Sequence, residues 1–318
     1  MPRHITKIAD LTSEELNHVL HLARGFQERA SLGVRQENVL QGRVVAMVFE
    51  KPSLRTKVSF EVATMYLGGN PVFLSSDQIF ASGGNQKGRE SLPDIARNLE
   101  RFCDLIVARV FSHTTIQTLA SITRVPVVNA LCDLHHPCQA MADVMTFEKR
   151  FADRLASGGV VRVAYVGDGN NVATSLVQAC AMRGHDVVVA SPPGYEVPKE
   201  QQDAALAMRS RESQELSFIH SAVEAVSSAN VVYTDTFVSM GQETETARRL
   251  ADFAGYQVNR ELMSNAPKEA VFMHCLPAHR GEEVTDEVMD SPQSIVFDQA
   301  ECRLHVAKAV LGWSLGLF

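Results

Sequence analysis

The stretch Val44-Val45-Ala46-Met47-Val48-Phe49-Glu50-Lys51-Pro52-Ser53-Leu54-Arg55-Thr56 decides the fold class of this chain. It runs from an apolar segment of strand length, through a short turn, into the start of a helical pattern. Ser53, Arg55 and Thr56 place two hydroxyls and a guanidinium at that helix start. Backbone N–H groups and the positive end of the helix dipole attract a phosphate there. Arg55 adds a planar fork that grips it bidentately. Strand, turn and phosphate-binding helix start form the repeating unit of open parallel sheets, which bind small ligands at their strand ends.

The same alternation continues on both sides. Upstream, Thr12-Ser13-Glu14-Glu15 reads as a capping box opening a helix to about Ala30. Further strands are expected near 71–74, 105–109 and 126–129, with helices near 53–67, 92–102 and 114–121 between them. Residues 137–150 read as one helix with Met141, Val144, Met145 and Phe147 on its apolar face. After Ser157-Gly158-Gly159 a second alternation begins, with strands near 161–166, 186–190, 217–219, 231–233 and 271–273, and a short one at 295–297. Residues 300–317 are helical by pattern. The expected fold is α/β: two doubly wound parallel-sheet domains linked by helices, with a ligand cleft between them. The first spans 1–134, with 300–318 packing back on it, and the second spans 135–299.

Several runs at expected strand ends carry chemistry. His274-Cys275-Leu276-Pro277 sets an imidazole, a thiol and a turn-making proline after an apolar run. Arg109 closes an apolar strand, where a guanidinium faces the ligand crevice and suits a phosphate or oxyanion. His136 and Gln139 share one face of a helix start and suit hydrogen bonds to a carbonyl and an amide. Asp235-Thr236-Phe237-Val238-Ser239-Met240-Gly241 offers an acid, a hydroxyl and a glycine, a set that suits the ammonium and carboxylate of an α-amino acid. Gly167-Asp168-Gly169-Asn170-Asn171 resembles the opening of a dinucleotide turn but has Val172 where the third glycine belongs. Its paired asparagines offer the donors and acceptors an amino-acid backbone needs.

A chain of 318 residues is long enough for two cores, and its formal net charge of −7 argues against nucleic acid or an anionic membrane as the main partner. No apolar run approaches the ~20 residues a membrane helix requires, and the N-terminal residues lack a signal-peptide core. A cytoplasmic protein is expected. The six cysteines are scattered without a C-x-x-C pair, so the default reading is buried thiols, with Cys275 set apart by its neighbours.

Taken together, these runs resemble the aspartate/ornithine carbamoyltransferase family over most of the chain, about 44–310. The family's phosphate-binding S-x-R-T stands as Ser53 to Thr56, and its H-P-x-Q as His136-Pro137-Cys138-Gln139. The ornithine branch's D-x-x-x-S-M-G and H-C-L-P stand as Asp235 to Gly241 and His274 to Pro277. Leu54 replaces a common threonine and Lys57 a common arginine.

The resemblance implies transfer of a carbamoyl group from carbamoyl phosphate to the δ-amine of L-ornithine, with no metal and no organic cofactor. It implies a carbamoyl phosphate site of Ser53, Leu54, Arg55, Thr56, Gln86, Arg109, His136, Gln139, Cys275, Leu276 and Arg303. It implies an ornithine site of Asn171, Asp235, Ser239 and Met240, with Arg109, His136, Cys275 and Asp235 catalytic. It further implies a homotrimer with shared active sites, Gln86 in the loop 82–87 reaching a neighbouring subunit. The competing readings are a carbamoyltransferase for aspartate, acetylornithine or putrescine, and a Rossmann-type nucleotide-binding protein.

Overall fold

The computed structural model describes residues 2–75, 90–239 and 241–318. Gln86, with the rest of the loop 82–87, and Met240 lie outside the described residues. The chain divides into two units, 1–142 with 301–318, and 143–300.

The first unit contains a four-stranded sheet, in the order β2-β1-β3-β4. Its strands are β1 (Val44–Phe49), β2 (Asn70–Ser75), β3 (Leu105–Arg109) and β4 (Val127–Leu131), all paired in parallel. Helices Leu54–Tyr66, Leu92–Phe102 and His113–Ile122 form the crossovers. Ala46, Val48, Ile106 and Ala108 pack one sheet face against Ile95, Ile116 and Leu119 of two of these helices. Capping starts the first long helix, Ser13–Ser31: Glu15 N donates to Thr12 Oγ1 at 3.1 Å, and Thr12 N donates to Glu15 Oε2 at 2.8 Å. The order reverses between β1 and β3, so ligands are expected at the carboxyl ends of these strands, beyond Phe49 and Arg109.

The second unit contains a five-stranded parallel sheet, in the order β7-β6-β5-β8-β9. Here β5 is Arg162–Val166, β6 Asp186–Ala190, β7 Leu216–Ile219, β8 Val231–Thr234 and β9 Val271–His274. The switch point lies between β5 and β8, whose carboxyl ends run into the turn 167–171 and the loop 235–241. Among the described residues no helix is long and apolar enough to cross a membrane.

Three expectations need correction. The strand at 295–297 does not form. Phe272 pairs instead with Ser294 in a single bridge, and the chain enters the helix Val296–Ser314 at once. Ile295, Val296 and Phe297 have strand propensity, but the long buried helix that follows outweighs three residues of it. The helix Pro137–Arg150 is buried on all sides from Pro137 to Glu148, rather than along one apolar face. Its internal polar groups are bonded: Asp143 accepts from Gln299 and Tyr233, and Glu148 from Arg183 and His185. The unit boundary lies inside that helix, at 142/143, rather than at the expected 134/135: the first turn and a half of the helix, from Pro137 to Ala142, goes with the first unit.

Candidate active site

In the first unit the site is built on a helix start. Ser53 caps the helix Leu54–Tyr66, its Oγ accepting from Thr56 N at 3.2 Å. The other first-turn N–H groups of this helix, at Leu54 and Arg55, point out of its N-terminus and suit an anion. Leu54 offers such a site its backbone alone, since its side chain is 73% exposed. Thr56 is buried, and its Oγ1 accepts from Arg303 Nη2 at 2.7 Å and from Arg109 Nη1 at 3.4 Å. The closing residue of β3 and a residue of the last helix thus bring two buried guanidiniums to one hydroxyl, beside the half-buried Arg55. Such a cluster attracts a multiply charged oxyanion.

His136 and Gln139 are buried at the start of the helix Pro137–Arg150. Burial first, then Arg303 and Arg109, hold the His136 imidazole well below its ordinary pKa. It is therefore neutral near pH 7 and donates one N–H without adding charge. Cys138 between them is no nucleophile: burial pushes its thiol up to about 12.

In the second unit three loops meet at the ends of β5, β8 and β9. Asn170 opens the helix Asn171–Arg183, its Oδ1 accepting from Val172 N at 2.9 Å and Ala173 N at 3.2 Å, while its Nδ2 donates to Asp235 Oδ2 at 2.8 Å. Cys275 Sγ donates to the other oxygen, Asp235 Oδ1, at 2.9 Å. Asp235 is thereby held from both sides with its carboxylate at the switch point. Ser239 lies four residues on, half-buried, in a loop closed by Ser239 N donating to Gln242 Oε1 at 3.1 Å.

The His274 ring is fully buried and acts as a brace: its Nδ1 accepts from Leu276 N at 2.8 Å, and its Nε2 meets Glu283 Oε1 at 3.2 Å. The Leu276 backbone stands at φ +58°, which costs a non-glycine residue on the order of 1–2 kcal/mol. Gln299 adds a second brace, Oε1 accepting from His274 N at 3.0 Å. Bracing of this kind holds the Leu276 carbonyl at the end of β9 in one direction.

The Gly167–Asn171 turn does not leave a dinucleotide's room. A Cβ at Gly169 would lie 2.1 Å from Val197 N, so the space beside that glycine is filled by the chain's own backbone. Asp235, His274 and Cys275 form one donor set whose ligand atoms all lie within 4.8 Å, and His279, Glu282 and Glu283 form another. The first set is engaged internally by the hydrogen bonds just described.

The structure brings Arg109, Thr56 and Arg303 together in one unit, and Asp235 and Cys275 together in the other. Asn171, expected as an amino-acid ligand, opens its helix, while its neighbour Asn170 bonds Asp235. Reading the sequence singled out both asparagines but carried only Asn171 into the site, and it missed Gln299 and Arg249. The last two carry no local signal.

Two family descriptions match the chain: "Aspartate/ornithine carbamoyltransferase, carbamoyl-P binding domain" over residues 3–149, and "Aspartate/ornithine carbamoyltransferase, Asp/Orn binding domain" over residues 160–314. Among curated relatives, the anabolic ornithine carbamoyltransferase of Pyrococcus furiosus is 45% identical over 315 residues, covering 99% of this chain and 96% of the relative. The ornithine carbamoyltransferase of Carboxydothermus hydrogenoformans is 46% identical over 314 residues, covering 99% and 98%. Among solved structures, the Pyrococcus furiosus enzyme superposes with a TM-score of 0.91 at 44% identity, covering 99% of this chain and 97% of that one. The Thermus thermophilus ornithine carbamoyltransferase gives 0.85 at 42% identity and covers 99% of both.

Proposed function

The chain belongs to the aspartate/ornithine carbamoyltransferase family, and we propose that it transfers the carbamoyl group of carbamoyl phosphate to the δ-amine of L-ornithine, releasing L-citrulline and phosphate. The observation that carries this reading is the contact between Cys275 and Asp235, which joins the two ornithine-branch motifs at neighbouring strand ends. The relatives' names support the same substrate. The Pyrococcus furiosus relative is named as anabolic, and arginine biosynthesis is the role we assign here.

In this reading Ser53, the Leu54 and Arg55 backbone, Arg55, Thr56 and Arg109 hold the phosphate, and Arg303 completes the site. Thr56, Arg109 and neutral His136 donate to the carbamoyl oxygen as it becomes an oxyanion. Gln139 and the Leu276 carbonyl hold the carbamoyl NH₂. Gln86 contributes from a neighbouring subunit. Asn171, Asp235, Ser239 and Met240 hold ornithine's α-amino and α-carboxylate groups. A lysine-like δ-amine has a pKa near ~10.4 in water and attacks only when neutral. Asp235 and Cys275 stand at that amine and assist its proton loss. The amine attacks the carbonyl carbon, the C–O bond to phosphate breaks, and phosphate leaves with the proton. No metal or organic cofactor is needed, because carbamoyl phosphate is already activated.

We further propose a homotrimer with shared sites, working in the cytoplasm. Leu54, Val58 and Met65 support the assembly: they are exposed at helical spacing on one face of the helix Leu54–Tyr66, beside exposed Val72 of the edge strand β2. Six free thiols suit a reducing compartment.

The test is colorimetric measurement of the ureido product formed when carbamoyl phosphate is offered ornithine, acetylornithine, putrescine or aspartate in turn. Saturable turnover with ornithine alone is expected. A preference for another amine, or thermal stabilisation by NAD, would overturn the assignment.

A further inference from the structure

We propose that Arg249 is a positioning residue for the second substrate: it ties the loop 235–241 to the turn 167–171 and so fixes the geometry in which ornithine is held. This rests on the reading above that these two segments bind ornithine. Arg249 lies in the helix Thr246–Asp252 and is only 4% exposed, while its neighbour Arg248 projects into solvent. Its guanidinium works in two directions. Nε donates to the Phe237 carbonyl at 2.6 Å, two residues after Asp235, and Nη2 pairs with the buried Asp168 carboxylate, two residues before Asn170. Asn170 in turn donates to Asp235. Arg249, Asp168, Asn170, Asp235 and Phe237 thus form a closed circuit of backbone and hydrogen bonds, which the guanidinium enters from outside the two segments.

The setting fits a geometric role. The guanidinium lies 4.8 Å from the Tyr195 ring centroid and 5.5 Å from that of Phe253, and Phe253 stacks on Phe237 at 4.6 Å. An apolar side chain among these rings would avoid the desolvation that a buried ion pair costs. What it could not do is hold a carbonyl and a carboxylate at once, which needs the forked, planar donor set of arginine. Packing alone does not hold the loop, because a cavity of about 610 Å³, lined by Phe237, Leu250, Phe253 and Leu262, opens beside the Phe237–Phe253 stack. Without the guanidinium, Phe237 has room to move, and Asp235 and Ser239 move with it.

The test uses the full-length chain carrying Arg249→Met, Arg249→Lys or Asp168→Asn. Two readouts are needed: hydrogen–deuterium exchange of the segment 235–241, and the KM for each substrate at saturating concentration of the other. In Arg249→Met, exchange of that segment should quicken about tenfold or more. The ornithine KM should rise by a similar factor. The carbamoyl phosphate KM should stay within about twofold. Arg249→Lys keeps the charge but not the fork and should show the same split to a smaller degree, as should Asp168→Asn. These two retain the local shape if the methionine variant fails to fold. Unchanged loop exchange, or equal rises in both KM values, would overturn the proposal. A wild-type chain that makes no citrulline would defeat the functional reading, while the exchange data still decide whether Arg249 anchors the loop.

Discussion

Thr56 concentrates the chemistry of the first unit in one oxygen, which accepts from Arg303 and Arg109. Replacing Thr56 with valine keeps the volume and removes that acceptor from two buried guanidiniums. Hydrogen bonds to charged groups contribute about 1.5–3 kcal/mol, so a modest loss of stability is expected from denaturant titration. The carbamoyl phosphate KM should rise about tenfold or more, since both cations lose their common anchor. Arg55→Ala should weaken carbamoyl phosphate binding at least as much while changing stability little, because the side chain is only half-buried. Unchanged affinity by isothermal titration would remove Arg55 from the phosphate site. These residues were legible in sequence because each sits within a few positions of a strand end or a helix start. Arg303 was found only through the family resemblance. Nothing local distinguishes it from any other arginine in a helix, and its meaning comes from the fold that carries it to Thr56.

The turn 167–171 shows how an element outranks its motif. Two glycines after a strand suggest a dinucleotide, yet the role of Gly169 here is to let the backbone of Glu196 and Val197 approach, with Gly169 N donating to Tyr195 O at 2.7 Å. Gly169→Ala would place a methyl 2.3 Å from Glu196 C and 2.1 Å from Val197 N, both backbone atoms that cannot turn aside. Overpacking costs about 1–3 kcal/mol where side chains adjust, and a backbone clash should exceed the upper end. Gly158→Ala, at φ +80° with nothing within 4 Å, should cost only about 1–2 kcal/mol. Thermal unfolding of the two variants should rank them in that order; equal losses would contradict the close approach. The strands 44–49, 105–109 and 186–190 were legible to the residue because buried parallel strands are unbroken apolar runs. The same rule misled at 295–297, where Val296 and Phe297 begin a helix. Pattern alone does not separate a short buried strand from a helix end.

At the scale of the whole molecule, buried histidines set the response to acid. Burial lowers His4, His113, His135 and His136, with His135 down to about 3. An unfolded histidine titrates near 6.5, so between that value and its folded pKa the unfolded chain binds more protons. Stability is complete above about pH 6.5 and falls on acidification, by up to ~1.4 kcal/mol per pH unit for each histidine. Asp168 works against this: burial raises it to about 6, so its contribution is present below the ordinary carboxylate range and is lost as pH rises through 6. Burial raises Glu50 in the same sense, but two carboxyls do not offset four imidazoles, and the melting temperature should fall steadily from pH 7 to pH 4. His135→Asn should flatten that slope; an unchanged slope would count against the histidines as its source. Assembly is the other property of the whole. An apolar face made of Leu54 at 73%, Met65 at 49% and Val58 at 46% exposure sits on the helix that also carries Ser53, Arg55 and Thr56 at its start. A subunit seated on that face would stabilise the helix whose first turn we assign to the phosphate. Val58→Asp with Met65→Glu puts two charges into the contact and leaves Phe60, Ala63 and Thr64 of the buried face untouched. Sedimentation velocity should show the mass of three chains for the wild type and of one for the double variant. Carbamoyl transfer should fall with dissociation if sites are shared between subunits. A monomeric variant with full activity would show that each chain carries a complete site.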